Sequence, residues 1–215
     1  MSTVVVYIHG LWFRGGESLL LRRRLSRTLG AECRVFPYSS VGGEFAENVA
    51  ALGRYLRAVG ADTVHLVAHS LGGLLLTQLF ETEAGSGTAR ELPPGRVVLI
   101  GSPVQGSRSA QRLQRLPMGS ALLGRTGGEL TLGTQRRWSG GRDLGVIAGV
   151  LPIGLGKLLG RLDGPNDGTV AVKETDLPGA AERLLLRVSH TGLVYSPEVA
   201  RQAAAFLRDG RFARS

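Results

Sequence analysis

The chain has 215 residues, 43% of them apolar, and a single cysteine, Cys33. That length suits one compact domain with a full-sized core, and one cysteine excludes an internal disulfide framework and a thiolate metal site. The formal net charge is +9 and mainly arginine. Outside Arg22-Arg23-Arg24 the basic residues are scattered and lack aromatic interleaving, which argues for a solvated basic surface and against nucleic acid as a partner.

No apolar run reaches the ~18 residues needed to span a bilayer. The first residues, Met1 to Ile8, lack the basic n-region and the h-region of a secretion signal, so a cytoplasmic chain is expected. Val4 to Ile8 is a β-branched and aromatic run that predicts a buried strand ending at His9-Gly10. Glu17 to Leu29 predicts a helix closed by Gly30, and Cys33 to Phe36 a short strand stopped by Pro37. In Glu44 to Val59, the residues Phe45, Val49, Leu52, Leu56 and Val59 recur at helical spacing, with Gly60 as the expected cap. Thr63 to Ala68 predicts a strand, Leu71 to about Glu83 a helix, and Arg96 to Ile100 a further strand.

The stretch Val104 to Arg142 is rich in Gly, Ser and Arg and shows weak helical patterns around Ala110 to Leu123. Within a single domain of residues 1–215 it is the natural place for a small lid or cap. Leu144 to Gly149 and Glu182 to Val188 predict strands. Ser196-Pro197-Glu198 has the serine cap, first-turn proline and first-turn acid of a helix start, and that helix should run to Asp209 and stop at Gly210. Strands alternating with helices imply an α/β fold, a mainly parallel central sheet with helices on both faces.

The stretch Val64 to Gly73 carries the chemistry. An apolar run ends abruptly at Ala68-His69-Ser70-Leu71-Gly72-Gly73, and an apolar helical segment follows. Strand, sharp turn and helix with a hydroxyl at the turn is a nucleophile elbow. Small residues are needed because neighbouring backbone passes close to a strained turn. Serine needs a base, and the base an orienting acid. Of the four histidines, His9 belongs to the turn after the first strand, His65 lies inside a strand, and His69 should point away from Ser70 across the elbow. His190, on the loop after a late strand, remains as the base.

The acid should lie between Ser70 and His190, after a strand. Asp143, Asp163, Asp167 and Asp176 qualify by position, but Asp143 precedes its strand and so lies at the wrong end. Asp167 is preferred over Asp163, because Asn166-Asp167-Gly168-Thr169-Val170 is a compact turn that can hold a carboxylate. An oxyanion hole needs two backbone donors. The N–H of Leu71, after the elbow serine, is one; the N–H of Leu11, where Gly10 permits the bend, is the other. Each motif alone has a structural explanation, but oxyanion turn, Ser, Asp and His in this order, each after a predicted strand, point jointly to nucleophilic catalysis.

These residues resemble the α/β-hydrolase superfamily, and within it small bacterial serine lipases and esterases. Ala68-His69-Ser70-Leu71-Gly72-Gly73 is similar to the elbow of the minimal Bacillus-type lipases. Val188-Ser189-His190-Thr191-Gly192 is similar to their histidine segment, and Asn166-Asp167-Gly168-Thr169-Val170 to the acid loop of Pseudomonas-type lipases. The likeness runs from Val4 to about Phe212 and is sparse from Ser107 to Arg142. It implies hydrolysis of a carboxylic ester with an apolar acyl group, through Ser70, Asp167 and His190 and an acyl-enzyme, with no cofactor and no metal. Trp12 and Phe13, and the apolar loop Val150 to Leu159, are candidates for walling an acyl pocket or, for the loop, for touching a lipid surface. The partner expected is a small-molecule acyl ester or lipid substrate, with peripheral contact to a lipid surface as a further option. The same triad serves thioesterases and acyltransferases. A non-catalytic binding protein on the same scaffold is the reading from a different class.

Overall fold

The computed structural model describes residues 1–87, 92–133, 135–154 and 162–214. Six strands form one all-parallel sheet: β1 (Thr3–Ile8), β2 (Glu32–Val35), β3 (Thr63–His69), β4 (Val97–Ile100), β5 (Leu144–Gly149) and β6 (Glu182–Leu186), in the order β2-β1-β3-β4-β5-β6. Every residue of β4 and β5 is buried, as expected for a parallel sheet covered on both faces.

Two apolar layers cover the sheet. On one face α2 (Phe45–Arg57) buries Phe45, Val49, Leu52 and Leu56, and α3 (Leu71–Ser86) packs between α2 and the strands. That position explains why α3 is apolar almost all round. On the other face α1 (Leu19–Leu29) contributes Leu21 and Leu25, and α6 (Pro197–Asp209) contributes Val199, Ala203 and Phe206. The start of α6 follows from its sequence: Ser196 Oγ accepts the Val199 N–H at 3.3 Å, and Gly210 ends the helix in the left-handed conformation.

Most boundaries fall within two or three residues of the sequence expectation. The first helix is preceded by a 3₁₀ turn at Gly16–Ser18 instead of starting at Glu17. The second ends at Arg57 with Ala58 as its cap, so Gly60, although left-handed, lies beyond it. The stretch after β4 holds two short helices, α4 (Arg108–Gln114) and α5 (Gly119–Gly127), the latter broken at Gly124. Among the described residues no helix is long and apolar enough to cross a membrane.

Topology places the site. From β1 the chain turns outward to β2 and then returns to β3 on the other side of β1. The loops leaving β1 and β3 therefore diverge at a switch point, where a crevice opens beyond the carboxyl ends of the strands. His9-Gly10-Leu11 follows β1, and Ser70 follows β3.

Candidate active site

Ser70 occupies the turn between β3 and α3 with φ 53° and ψ −123°, a conformation that costs a non-glycine residue about 1–3 kcal/mol. The surroundings impose it. The Ser70 N–H still bonds the Ile100 carbonyl of β4 at 3.0 Å, so the chain must reverse at once into α3. A Cβ on Gly72 would stand 2.6 Å from the His9 carbonyl oxygen and closer still to that of Ile8, so only glycine lets α3 start this near β1. Serine at a helix N-cap usually spends its oxygen on the helix amides. Ser70 makes no such cap bond, and the residue lines a cavity instead.

The turn after β1 is pinned from below. His9 is buried, its ring stacks on Tyr38 at 4.1 Å, and its Nδ1 lies 2.9 Å from the Gly10 carbonyl oxygen. A carbonyl only accepts, so Nδ1 carries the proton. The trans geometry of the Gly10–Leu11 peptide then sends the Leu11 N–H away from the His9 ring. Tyr38 Oη completes the brace by donating to the His9 carbonyl at 2.7 Å.

Asp167 is buried in the turn expected from Asn-Asp-Gly. Its Oδ1 accepts the N–H groups of Thr169 at 2.9 Å and Val170 at 2.7 Å, leaving Oδ2 to meet His190 Nδ1 at 2.7 Å. The His190 N–H bonds the Asp167 carbonyl at 2.9 Å, so backbone and side chain hold the pair together. The carboxylate fixes the His190 proton on Nδ1 and leaves Nε2 as an acceptor. Asp163 lies apart, exposed, in an ion pair with Arg108. Asp143 pairs with Arg96 at 3.2 Å before β5, at the opposite end of the sheet, and Asp176 pairs with Arg183 at 3.1 Å.

The sequence expectation fails for His69. Its ring does not point away from the elbow but lies 4.9 Å from that of His190 and lines the same cavity as Ser70. Strand alternation ends where the left-handed turn begins, so neighbouring side chains converge. Among the described residues neither buried His69 ring nitrogen has a hydrogen-bond partner. Burial first, and then the adjacent His190, holds the His69 pKa well below the ordinary value, so a neutral ring packs beside His190.

Gly101 at the end of β4 is a site residue that the sequence did not single out. It has φ +55°, and an added Cβ would stand 2.7 Å from Leu193 Cδ1, 3.3 Å from His190 Nδ1 and 3.4 Å from Asp167 Oδ2. Gly101→Ala should displace the pair, lowering any turnover that depends on it more than tenfold, and cost about 1–2 kcal/mol through backbone strain. Steady-state kinetics together with thermal melting checks both effects; wild-type kcat would show that the pair tolerates the methyl group.

A cavity of about 470 Å³ joins these groups. It is lined by Ser70, His69 and His190, by Leu11, Trp12 and Phe13, and by Leu113 of α4, Leu123 of α5 and Leu130 in the 3₁₀ turn that follows. Trp12 and Phe13 therefore wall the pocket. Of the loop Val150 to Leu159, Gly154 reaches the cavity, while 155–159 lie outside the described residues. Among the described residues no group of three or more His, Cys, Asp or Glu side chains could hold a metal. Burial pushes the Cys33 thiol up to about 11, which leaves it a poor nucleophile.

The sequence that forms this sheet and turn is matched by a family model. The alpha/beta hydrolase family model covers residues 5–212. The chain belongs to the alpha/beta hydrolase family. The chain also resembles solved structures at low identity. Phospholipase PlaB from Legionella pneumophila shares 15% identity at a TM-score of 0.57, over 81% of this chain and 46% of that one, so the chain spans under half of PlaB. A metagenomic carboxyl esterase shares 17% at 0.61, over 94% and 73% of the two chains. The RedJ thioesterase of the prodiginine pathway in Streptomyces coelicolor shares 13% at 0.56, over 96% and 89%. No curated protein sequence matches the chain.

The histidines have a consequence for stability. Burial lowers the pKa of His9, His65 and His69, and with Arg96 and Arg142 nearby brings His65 down to about 4. The unfolded chain protonates near 6.5 and the folded one resists, so stability is complete above about pH 6.5 and falls as pH drops toward 4. The slope is at most ~1.4 kcal/mol per pH unit for each group, and less for the half-buried His65. Melting temperature should drop from pH 7 to pH 5, and less steeply in His65→Gln; equal slopes would remove His65 from this account.

Proposed function

We propose that this protein is a serine hydrolase that cleaves carboxylic esters bearing an apolar acyl group. The observation that carries the reading is the buried His190–Asp167 pair, joined at 2.7 Å, opening onto the same apolar cavity as Ser70. Ser70 Oγ attacks the ester carbonyl while His190 Nε2 takes its proton, and Asp167 steadies the imidazolium. The negative charge on the carbonyl oxygen is met by two backbone donors. Leu71 N–H is one of the amides that a helix start leaves without an internal partner, and Leu11 N–H is oriented by the His9 brace. The alcohol departs with the proton from His190. A water, deprotonated by the same nitrogen, then cleaves the acyl-enzyme. No cofactor takes part.

The wall supplied by α4 and α5 supports reading residues 104–142 as a small cap over the acyl site. Hydrolysis of p-nitrophenyl esters from acetate to palmitate, with Ser70→Ala as the blank, tests the proposal. Ser70-dependent turnover supports it, and folded protein without turnover on any ester overturns it. A thioester would fit the same apolar cavity and the same attack, so acyl thioesters belong in the same series.

A further inference from the structure

We propose that Trp12 is a specificity-determining residue: it latches the turn after β1 to α5 and so limits the bulk of the acyl group admitted beside Ser70. The inference rests on reading Ser70 as an ester-cleaving nucleophile. Trp12 follows Leu11 in the turn, is 48% exposed and has φ +65°. Neither burial nor backbone preference explains a bulky indole in that position. Its one polar atom does: Trp12 Nε1 donates to the Leu122 carbonyl at 2.7 Å, across 110 residues of sequence.

That carbonyl is available because α5 is broken. Gly124, at φ 65° and ψ −171°, interrupts the helix, so the amide four residues after Leu122 no longer faces it. The break is built in. The Arg125 N–H bonds the Val41 carbonyl at 3.0 Å, Thr126 Oγ1 donates to the Gly43 carbonyl at 2.6 Å, and a Cβ at Gly124 would collide with the Val41 carbonyl oxygen. The opened helix thus presents an acceptor to Trp12 while Leu123 turns into the cavity. The indole spans from the turn that carries the Leu11 N–H to the segment that roofs the cavity, and its ring forms part of the cavity wall. An acyl group branched near its carbonyl must share that space with the ring, whereas a straight chain can run past it toward Leu113 and Leu130.

Two variants separate the latch from the wall. Trp12→Phe keeps a ring and loses the N–H; Trp12→Ala loses both. In the full chain, backbone hydrogen exchange of residues 119–127 should be about three- to tenfold faster in both variants. The ratio of kcat/KM for p-nitrophenyl pivalate over p-nitrophenyl butyrate should rise about tenfold or more in Trp12→Ala, and less in Trp12→Phe. Wild-type exchange in Trp12→Phe overturns the latch. An unchanged ratio in Trp12→Ala, with wild-type turnover intact, overturns the specificity assignment but not the ester reading. Absence of wild-type turnover overturns the ester reading and the specificity claim with it, while exchange still decides the latch.

Discussion

Ser70→Ala is expected to lower ester hydrolysis by about 10⁵–10⁶ in kcat and to abolish labelling by a fluorophosphonate, while leaving the fold intact. The size follows from the chemistry. Without Oγ no acyl-enzyme forms, and only water positioned near the two backbone donors remains, a residual catalysis of about 10³–10⁴ over solution. Labelling is a separate readout, because Oγ attacks phosphorus and expels fluoride with no ester pocket to satisfy. Stability should change little. Ser70 makes no helix-cap bond, and its φ of 53° strains alanine as much as serine, so the melting temperature should stay within a few degrees. Equal labelling of wild type and Ser70→Ala would move the nucleophile elsewhere. A folded wild-type protein that neither labels nor turns over would favour a binding role for the cavity.

Legibility in the sequence tracked the range of the interactions. β1 and β5 were readable because a strand buried on both faces must be continuously apolar, β3 because its apolar run is interrupted only at His65, and α6 because its serine cap, first-turn proline and terminal glycine act within a few residues. The Asp167 turn was readable for the same reason: both Oδ1 bonds run to amides two and three residues away. The α4–α5 segment was only faintly legible. Its helices are short, Gly124 contradicts helical periodicity, and the groups that hold the break, Val41 and Gly43, lie some 80 residues earlier. His69 departs from its expected direction because the left-handed turn at Ser70 brings neighbouring side chains together, and the sequence shows the turn but not its dihedral angles. The Trp12–Leu122 bond and the approach of Gly101 to His190 join distant segments and leave no local trace in the sequence.

The choice between the two acids has a sharp expected outcome: Asp167→Asn should lower kcat by about 10³–10⁴, and Asp163→Asn should change it less than twofold. In Asp167→Asn the amide oxygen is the only group that can accept the Thr169 and Val170 N–H bonds now taken by Oδ1. Holding them turns the new NH₂ toward His190 Nδ1, where Oδ2 now stands at 2.7 Å. A donor there makes Nδ1 an acceptor and moves the His190 proton to Nε2, the nitrogen that takes the proton from Ser70 in the proposed mechanism. The variant therefore folds and fills its turn but presents the wrong tautomer, so kcat collapses while KM and melting temperature move little. Asp163 offers no comparable lever. Its partner is Arg108, with side chains 69% and 46% exposed, and such a surface pair contributes about 0–1 kcal/mol. The discriminating result is the pair of kcat values measured on one short ester: loss in Asp163→Asn with retention in Asp167→Asn would transfer the acid's role to Asp163 and require the loop to rearrange on substrate binding.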